Sequence, residues 1–338
     1  MIWFKRLLLL CGIAVAIGAG TAYFAAQRYL HSKPSPRHEE RVVTIPQGAS
    51  VGLIARTLAD AGVLTHPRYF RAYIRYTGLG GRLKAGEFRF YTDMTPPEVL
   101  QSLLEGREVL YSITFPEGYN IREMAPLVDD LPFLKGDRFR TLAESSDLAR
   151  EYGIDAPTLE GFLFPSTYQL PQSASERTLI AAMVREFKKH WTPRFEARAQ
   201  ELGMSRLEIV TLASVIEKET GHPDERPTVS SVFHNRLKRG MKLQSDPTII
   251  YGLKNFDGNI RKKDILAPHP WNTYVIPGLP PSPIANPGLA SLEAALWPAQ
   301  TDYLYFVARG DRRHSFSKTY QEHARKVLEY QIKPHRRR

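Results

Sequence analysis

A glutamate near the end of an apolar helical segment is the residue best suited to chemistry in this chain of 338 residues. The segment reads LASVIEKET, Leu212 to Thr220, and contains Glu217 and Glu219. At about 100° per residue Glu217 lies at the edge of the apolar stripe, whereas Glu219 points about 160° away from it. The two carboxyls are therefore not expected to act as a pair. A carboxylic acid among apolar groups tends to keep its proton near neutral pH, because desolvation disfavours the charged form, and such an acid can protonate a leaving oxygen.

The helix that carries this glutamate has clear end signals. Ser205 and Glu208 fit the S-x-x-E capping box, which predicts a helix start at this point. Gly221 and Pro223 predict its end. A structural role for Glu217 stays open as the alternative, because a glutamate at the end of a helix often pairs with a cation, here Arg226.

Metal and nucleophile chemistry have weaker signals. No H-E-x-x-H or similar ligand spacing occurs, and the Ser315 next to His314 lacks a G-x-S-x-G context. The one cysteine, Cys11, excludes a disulfide or C-x-x-C framework within the chain. We therefore expect no metal and no cofactor. The histidines considered as ligands are His222, His234, His269, His314 and His323.

The N-terminal segment is apolar and the chain is basic. No charged residue occurs between Arg6 and Arg28, a stretch long enough for a helix to cross a bilayer core of ~30 Å. We predict a short cytoplasmic tail at 1–6, a transmembrane helix at 7–27 and a polar linker at 28–40, with a cleaved signal peptide as the alternative. The formal net charge of +11 suits an anionic neighbour. Basic runs with interleaved aromatic residues are absent, so nucleic acid is not expected as a partner.

The segments after the linker alternate between the periods of strands and helices. A strand at 41–46, two helices at 49–61 and 67–76, and a strand at 87–91 predict a small βααβ module. The sequence TIPQG at 44–48 recurs as TFPEG at 114–118, which predicts a second strand-to-helix joint. Further predictions are a helix over 95–105, a helix over 176–190, a central strand over 303–307 and a terminal helix over 319–330.

Several long motifs resemble one known family. LASVIEKET is followed by VSSVFHNRLKRGMKLQSDPTIIYG and later by NTYVIPGLPPSPIANPGLASLEAALWPAQTDYLYFVARGDRRHSF. Together with EGFLFPSTYQL, Glu160 to Leu170, these stretches resemble the endolytic murein transglycosylases, the YceG-like family. The resemblance implies an α+β fold with an N-terminal transmembrane helix, a small LysM-like βααβ module over 41–110, a mixed linking region over 111–204 and a larger α+β catalytic domain over 205–338.

The resemblance also implies a reaction. Members cut the β-1,4 bond between N-acetylmuramic acid and N-acetylglucosamine within glycan strands, and Glu217 matches the catalytic glutamate. As an acid it would protonate the glycosidic oxygen, and as a base it would take the proton of the muramic C6 hydroxyl, which closes a 1,6-anhydro ring. Glycosidases that use water need two carboxyls. An intramolecular hydroxyl has a high effective concentration, so one carboxyl suffices.

Other motif residues are implied as substrate-binding groups, since amides and aromatic faces suit sugars. For each of them a structural role is an equal alternative. Ser166 stands where many members carry aspartate, so this position receives no role. The predicted substrate-binding residues are Glu160, Tyr168, Asn235, Gln244, Asp246, Asn272 and Tyr274.

The resemblance further implies a setting for the enzyme. The partners would be peptidoglycan glycan strands and the cell-wall synthases known as penicillin-binding proteins. The location would be the inner membrane, crossed once, with the catalytic body on the periplasmic side. A membrane-anchored, non-catalytic peptidoglycan-binding scaffold is the alternative function. A pyridoxal-phosphate lyase is a weaker one, because no lysine lies in a phosphate-binding context.

Overall fold

The computed structural model describes residues 2–106, 109–219, 221–253, 255–311 and 313–332, and the side chains of these residues from position 12 onward. Its contacts divide the chain into two compact units. The first unit contains Met1–Tyr111 and Gln169–Ser173, and the second contains Ser112–Tyr168 and Ala174–Arg338. Most of the predicted linking region and the whole predicted catalytic domain lie in the second unit.

The first unit contains the predicted βααβ arrangement. Strands β1 and β2 pair antiparallel, with Glu40 opposite Tyr91 at one end and Ile45 opposite Gly86 at the other. The elements are α1 (Ile2–Leu30), β1 (Glu40–Ile45), α2 (Val51–Asp60), α3 (Pro67–Thr77), β2 (Gly86–Tyr91) and α4 (Pro96–Glu105). The βααβ order and the helix over 95–105 are confirmed.

Period-two and helical patterns explain why these elements share one core. Phe88 and Phe90 alternate with polar residues on β2 and are fully buried. Leu58 of α2 and Phe70 of α3 are also fully buried. Thr95 precedes α4 as its N-cap and forms a capping box with Glu98, three residues further on.

The segment predicted to cross a membrane, 7–27, lies within helix α1. No helix in the described part of the chain is both long and apolar enough to span a bilayer. The predicted tail and residues 7–11 of the predicted span fall outside the residues whose side chains are described. The transmembrane prediction is therefore not confirmed.

The second unit is mainly helical. Helix α8 has the bounds that the sequence predicted, and α15 begins one residue after its predicted start. Strands β3 and β4 each have residues in both units. The elements are β3 (Leu110–Thr114), α5 (Ile121–Val128), α6 (Gly136–Ala143), α7 (Ser146–Glu151), β4 (Thr167–Pro171), α8 (Glu176–His190), α9 (Pro193–Glu201), α10 (Arg206–Glu219), α11 (Arg226–Lys238), α12 (Asp246–Gly252), α13 (Lys262–Leu266), α14 (Leu289–Leu296), β5 (Tyr305–Ala308), β6 (His314–Ser317) and α15 (Tyr320–Val327).

The prediction of a central strand over 303–307 is wrong. The strand β5 begins at Tyr305 and, among the described strands, pairs with β6 alone, so that the two form a two-stranded antiparallel sheet. Its apolar side chains pack instead on helices. The ring of Phe306 lies edge-on to that of Phe233 on α11, with the ring centroids 5.9 Å apart. Helix α10 likewise packs on the helices α9, α11, α12 and α14 rather than against a large sheet.

The two predicted strand-to-helix joints share a backbone conformation. Gly48 has φ +74° and Gly118 has φ +78°, values that side chains disfavour. The first joint connects β1 to α2, and the second connects β3 to α5. The repeated P-x-G pattern thus marks turns in which glycine takes a left-handed conformation.

A buried amide, Asn286, joins three distant segments of the second unit. Its Oδ1 accepts hydrogen bonds from the backbone N–H groups of Gly161 and Leu163, at 2.8 and 3.0 Å. Its Nδ2 donates to the Tyr119 carbonyl at 3.0 Å and to Glu160 Oε1 at 2.8 Å. All four hydrogen-bonding positions of the amide are used inside the protein.

Candidate active site

Helix α10 places two glutamates in two different environments. Its start is fixed by the predicted capping box, in which Ser205 N donates to Glu208 Oε2 at 2.7 Å and Glu208 N donates to Ser205 Oγ at 3.2 Å. Residues Ile209 to Ile216 are buried without interruption, so the helix has no solvent face along this stretch. Its first turn, with Glu208, and its last turn reach more polar surroundings, and in the last turn Glu217 and Glu219 contact different partners.

Glu217 lies in a buried ion pair. Arg226 Nη2 donates to Glu217 Oε1 at 3.1 Å, and the side chains of the two residues are 11% and 6% exposed, respectively. Gly288 N donates to Glu217 Oε2 at 3.0 Å. Both oxygens of this carboxylate therefore have donors within the protein, and the pairing with Arg226 that the sequence left open is present.

A third charged residue, Glu117, lies beside this pair. Its Oε2 is 3.7 Å from Arg226 Nη2, so the guanidinium faces two carboxylates. Burial and the Glu217 charge raise the pKa of Glu117, while Arg226 opposes the shift. The sequence predicts the joint that contains Glu117 but does not link it to Glu217, because the two residues are 100 positions apart.

Glu219 lines a groove of about 420 Å³ on the other side of α10. Ser245 Oγ donates a hydrogen bond to Glu219 Oε1. Burial raises the pKa of Glu219 to about 7, and the nearby Asp246 charge acts in the same direction, whereas Ser245 and Arg236 lower it. A carboxyl with this pKa is protonated in a large fraction of molecules near neutral pH, as a general acid requires.

Three of the predicted substrate-binding residues line the same groove: Gln244, Asp246 and Tyr274. Tyr274 donates its hydroxyl hydrogen to Asp246 Oδ1 at 2.7 Å. Burial and this hydrogen bond raise the pKa of Tyr274, which keeps the phenol protonated. Gln244 has the unusual φ of +51° and accepts a hydrogen bond from Arg236 Nη1 at 3.3 Å. The groove thus combines an acid, an amide and an aromatic wall, groups that suit a sugar.

Glu160 lies in the interior rather than in the groove, and it is 1% exposed. Its carboxylate accepts hydrogen bonds from Ile121 N at 3.1 and 3.2 Å, from Tyr251 Oη at 3.1 Å and from Asn286 Nδ2 at 2.8 Å. Burial raises the pKa of Glu160 to about 8, although the hydrogen bonds oppose the shift. The geometry supports the structural alternative for this residue.

Three further predicted binding residues also bond within the protein. Tyr168 is buried and donates to the backbone carbonyl four residues before it, at 2.6 Å. Asn272 is fully buried, and its Nδ2 donates to carbonyls at 264–267. Asn235 Nδ2 donates to the carbonyls of Thr301 and Tyr303 at 2.8 and 3.0 Å. None of the three lines the groove, so their expected contact with substrate lacks geometric support.

Glu219 is the functional candidate that sequence reasoning missed. Helical geometry predicts that Glu219 points away from Glu217, but it does not predict which of the two meets a groove. One signal was available in the sequence. Ser245, the hydrogen-bond partner of Glu219, stands next to Asp246 in the polar motif that was predicted to bind substrate.

Comparisons with known proteins agree on one family. The profile of the YceG-like family matches residues 43–329. The endolytic murein transglycosylase of Bacillus subtilis (strain 168) is 33% identical over 306 residues, which cover 85% of this chain and 84% of that protein. A protein of the same name from Streptococcus pneumoniae serotype 2 is 29% identical over 94% of this chain, which spans 64% of that relative's length. A 2.6 Å crystal structure of a YceG-like protein from Listeria monocytogenes has a TM-score of 0.59 and 32% identity, covering 86% of this chain and 99% of that one.

Proposed function

Since the chain belongs to the YceG-like family, we propose that it is an endolytic murein transglycosylase. This is the name of its relatives from Bacillus subtilis and Streptococcus pneumoniae. The substrate is a peptidoglycan glycan strand, cut at the bond from N-acetylmuramic acid to N-acetylglucosamine. The observation that carries the proposal is the position of Glu219 in a groove beside Gln244, Asp246 and Tyr274.

Glu219 is the proposed acid. Its raised pKa provides a proton at neutral pH, and the residue is part of the groove lining. Protonation of the glycosidic oxygen allows the bond to C1 of muramic acid to break. The C6 hydroxyl of the same sugar then forms the new bond to C1 and passes its proton to the Glu219 carboxylate, which restores the acid. The product carries a 1,6-anhydro end and no water is consumed.

Gln244, Asp246 and Tyr274 are the proposed sugar-holding groups. The Gln244 amide can donate to and accept from sugar hydroxyl and N-acetyl groups. The ring of Tyr274 offers an apolar face, and its hydroxyl group is fixed by Asp246. A fixed wall reduces the ordering cost of binding a flexible polysaccharide.

Glu217, the residue that the family motif suggested, is the competing acid. Against it stands its geometry, because both oxygens already accept hydrogen bonds within the protein, from Arg226 Nη2 and from Gly288 N. We propose that Glu217 instead fixes the last turn of α10 and thereby positions Glu219. The two glutamates can be tested separately, since their side chains have no common partner among the bonds described.

The test uses purified glycan strands, the full-length protein and the variants E217Q and E219Q. Wild type is expected to release fragments with 1,6-anhydro ends, which mass spectrometry separates from hydrolytic ends because they are lighter by one water. E219Q should lose activity by at least ~100-fold while keeping its unfolding temperature. Full activity in E219Q together with an inactive, folded E217Q would return the role to Glu217. A wild type that binds strands without cutting them would favour the non-catalytic scaffold.

Three further features of the setting are part of the proposal. The βααβ arrangement of the first unit supports a LysM-like role in holding glycan. A body that cuts glycan strands must face the periplasmic side of the inner membrane, where the strands lie. Wall synthases are proposed neighbours, because they supply nascent strands.

A further inference from the structure

Helix α3 and the turn that follows it form a strongly basic part of the first unit. The sequence contains no aspartate or glutamate between Asp60 and Glu87. The same segment contributes five cationic residues to a chain whose formal net charge is +11. A surface of this kind attracts an anionic ligand. The five residues are Arg68, Arg71, Arg75, Arg82 and Lys84.

Two of these arginines lie on one face of α3, beside a cavity. Arg71 and Arg75 are one helical turn apart and exposed, whereas Phe70 and Ile74 of the same helix are buried in the core. Together with Arg56 of α2, the two arginines line a cavity of about 690 Å³. The rest of the lining comes mainly from the start of α2 and from the glycine-rich turn after α3. The cavity therefore has cationic groups from both helices.

The arginine side chains of α2 and α3 meet at Gly52. Arg56 Nε donates a hydrogen bond to the Gly52 carbonyl at 3.2 Å. A Cβ at Gly52 would lie 3.8 Å from Arg71 Nη1, so a second guanidinium lies beside the same residue. Among the residues that the structure describes, Arg56, Arg71 and Arg75 form no ion pair with a carboxylate. Like charges that converge on one place repel each other, and a bound anion removes this repulsion.

The shape of the cavity favours a discrete ligand over a flat surface. A Cβ at Gly80 would lie 3.2 Å from Val51 Cγ2, so the turn after α3 packs closely on the start of α2. This turn and the two helices surround a space whose volume is within the range of ligand pockets. A phospholipid surface is flat and does not enter a concave site of this size. The geometry therefore points to an anionic group on a flexible chain.

From this cavity, and resting on the proposed transglycosylase function, we propose that the first unit holds glycan strands by the carboxylates of their stem peptides. The muramic acid of a peptidoglycan strand carries a short peptide, and each such peptide presents free carboxylates. Arg56, Arg71 and Arg75 are the proposed binding groups, because a guanidinium matches a carboxylate through two parallel hydrogen bonds. The protein then prefers strands that carry their peptides over strands that have lost them.

The test measures the affinity of the full-length protein for two sets of glycan oligomers of equal length. One set carries stem peptides, and an amidase has removed them from the other. Wild type should bind the peptide-bearing oligomers roughly tenfold more tightly, since three weak ion pairs add at one site. In R71Q/R75Q this ratio should fall to about one, and KM for release of 1,6-anhydro ends from peptide-bearing strands should rise by a similar factor.

The matched control is R68Q/R82Q, which removes the same charge from the same basic segment at two arginines outside the lining of the cavity. It should keep the wild-type ratio of affinities. All four arginines are exposed, so both double variants should keep the wild-type unfolding temperature. Loss of the ratio in both double variants would reveal a diffuse effect of charge and overturn the site.

Two further results would overturn recognition of stem peptides and leave the proposed function standing. One is a wild-type ratio near one. The other is competition by inorganic phosphate without competition by a free stem peptide, which would assign the cavity to a phosphate group. A wild type that shows the expected ratio but releases no 1,6-anhydro ends would instead overturn the proposed function and support the recognition of stem peptides.

Discussion

Arg226 Nη2 lies 3.1 Å from Glu217 Oε1 and joins the first turn of α11 to the last turn of α10. Both side chains are nearly excluded from solvent, so the loss of one partner leaves the other as a buried, uncompensated charge. The ion pair therefore fixes the end of the helix from which Glu219 projects.

Removal of Arg226 should destabilise the protein strongly. We expect R226M to lower the free energy of unfolding by about 3–5 kcal/mol, because the buried Glu217 then lacks its cationic partner. The double variant E217Q/R226M should recover part of this loss, since no charge is then buried. Denaturant titration measures both. The control R150M removes an exposed pair with Asp147 and should change little; a loss below ~1 kcal/mol in R226M would contradict the prediction.

Substitution of Gly161 should be severe for two reasons. Its φ is +88°, and a Cβ would lie 2.5 Å from Pro283 Cγ and 2.7 Å from Val210 Cγ1, groups that cannot move freely. We expect G161A to cost about 3 kcal/mol, the sum of overpacking and of the left-handed backbone. The control G203A has φ +68° with open space around it, so it should cost only about 1 kcal/mol. If G161A and G203A lowered the unfolding temperature equally, the close contacts at position 161 would not contribute to the loss of stability.

Stability should fall with rising pH because of Glu160. Its folded-state pKa of about 8 lies above the value of an unfolded chain, so the folded protein binds more protons than the unfolded one between the two values. The stabilisation is complete below pH ~4.5 and is lost as pH rises toward 8, by roughly 3–5 kcal/mol in total. In E160Q the free energy of unfolding should depend less on pH. The changed hydrogen bonds of the glutamine shift the free energy by the same amount at every pH and do not affect this comparison. Unfolding free energies from pH 5 to pH 8 provide the measurement, and an unchanged slope in E160Q would refute the assignment.

The pH dependence of activity should report Glu219. If its protonated form is the acid, kcat/KM falls above pH ~7, where the carboxyl ionises. The Asp246 charge raises this pKa, so D246N should move the fall to lower pH. The Ser245 hydrogen bond lowers the pKa, so S245A should move it to higher pH. Shifts in opposite directions, read from pH–rate profiles, would identify the group. Shifts in the same direction in both variants would exclude Glu219.

Local signals predicted the helix but not the site. The S-x-x-E pattern at Ser205 and the apolar spacing located α10, and they named Arg226 as a partner of Glu217. They did not show which glutamate meets the groove, because residues 209–216 of α10 are all buried and offer no polar face to indicate direction. That direction depends on Tyr274 and β5, which follow much later in the chain.

Long-range packing also limited two other predictions. The apolar run at 303–307 indicated a strand correctly, but not that a single partner strand and helices would cover it. Glu160 belongs to a long family motif, and a motif does not distinguish a carboxyl that contacts substrate from one that is bonded in the interior. Glu160 is enclosed by residues distant in sequence, among them Asn286 and Tyr251, which bond to its carboxyl group. Its burial therefore follows only from the folded structure.

The amide of Asn286 also has a consequence for how the second unit forms. Its bonds to Gly161 and Leu163 connect residues 125 and 123 positions apart, so forming them closes a loop of that length at a cost in chain entropy. The N–H groups of Gly161 and Leu163 should accordingly be among the slowest in the chain to exchange with deuterium, since solvent reaches them only when the whole body opens.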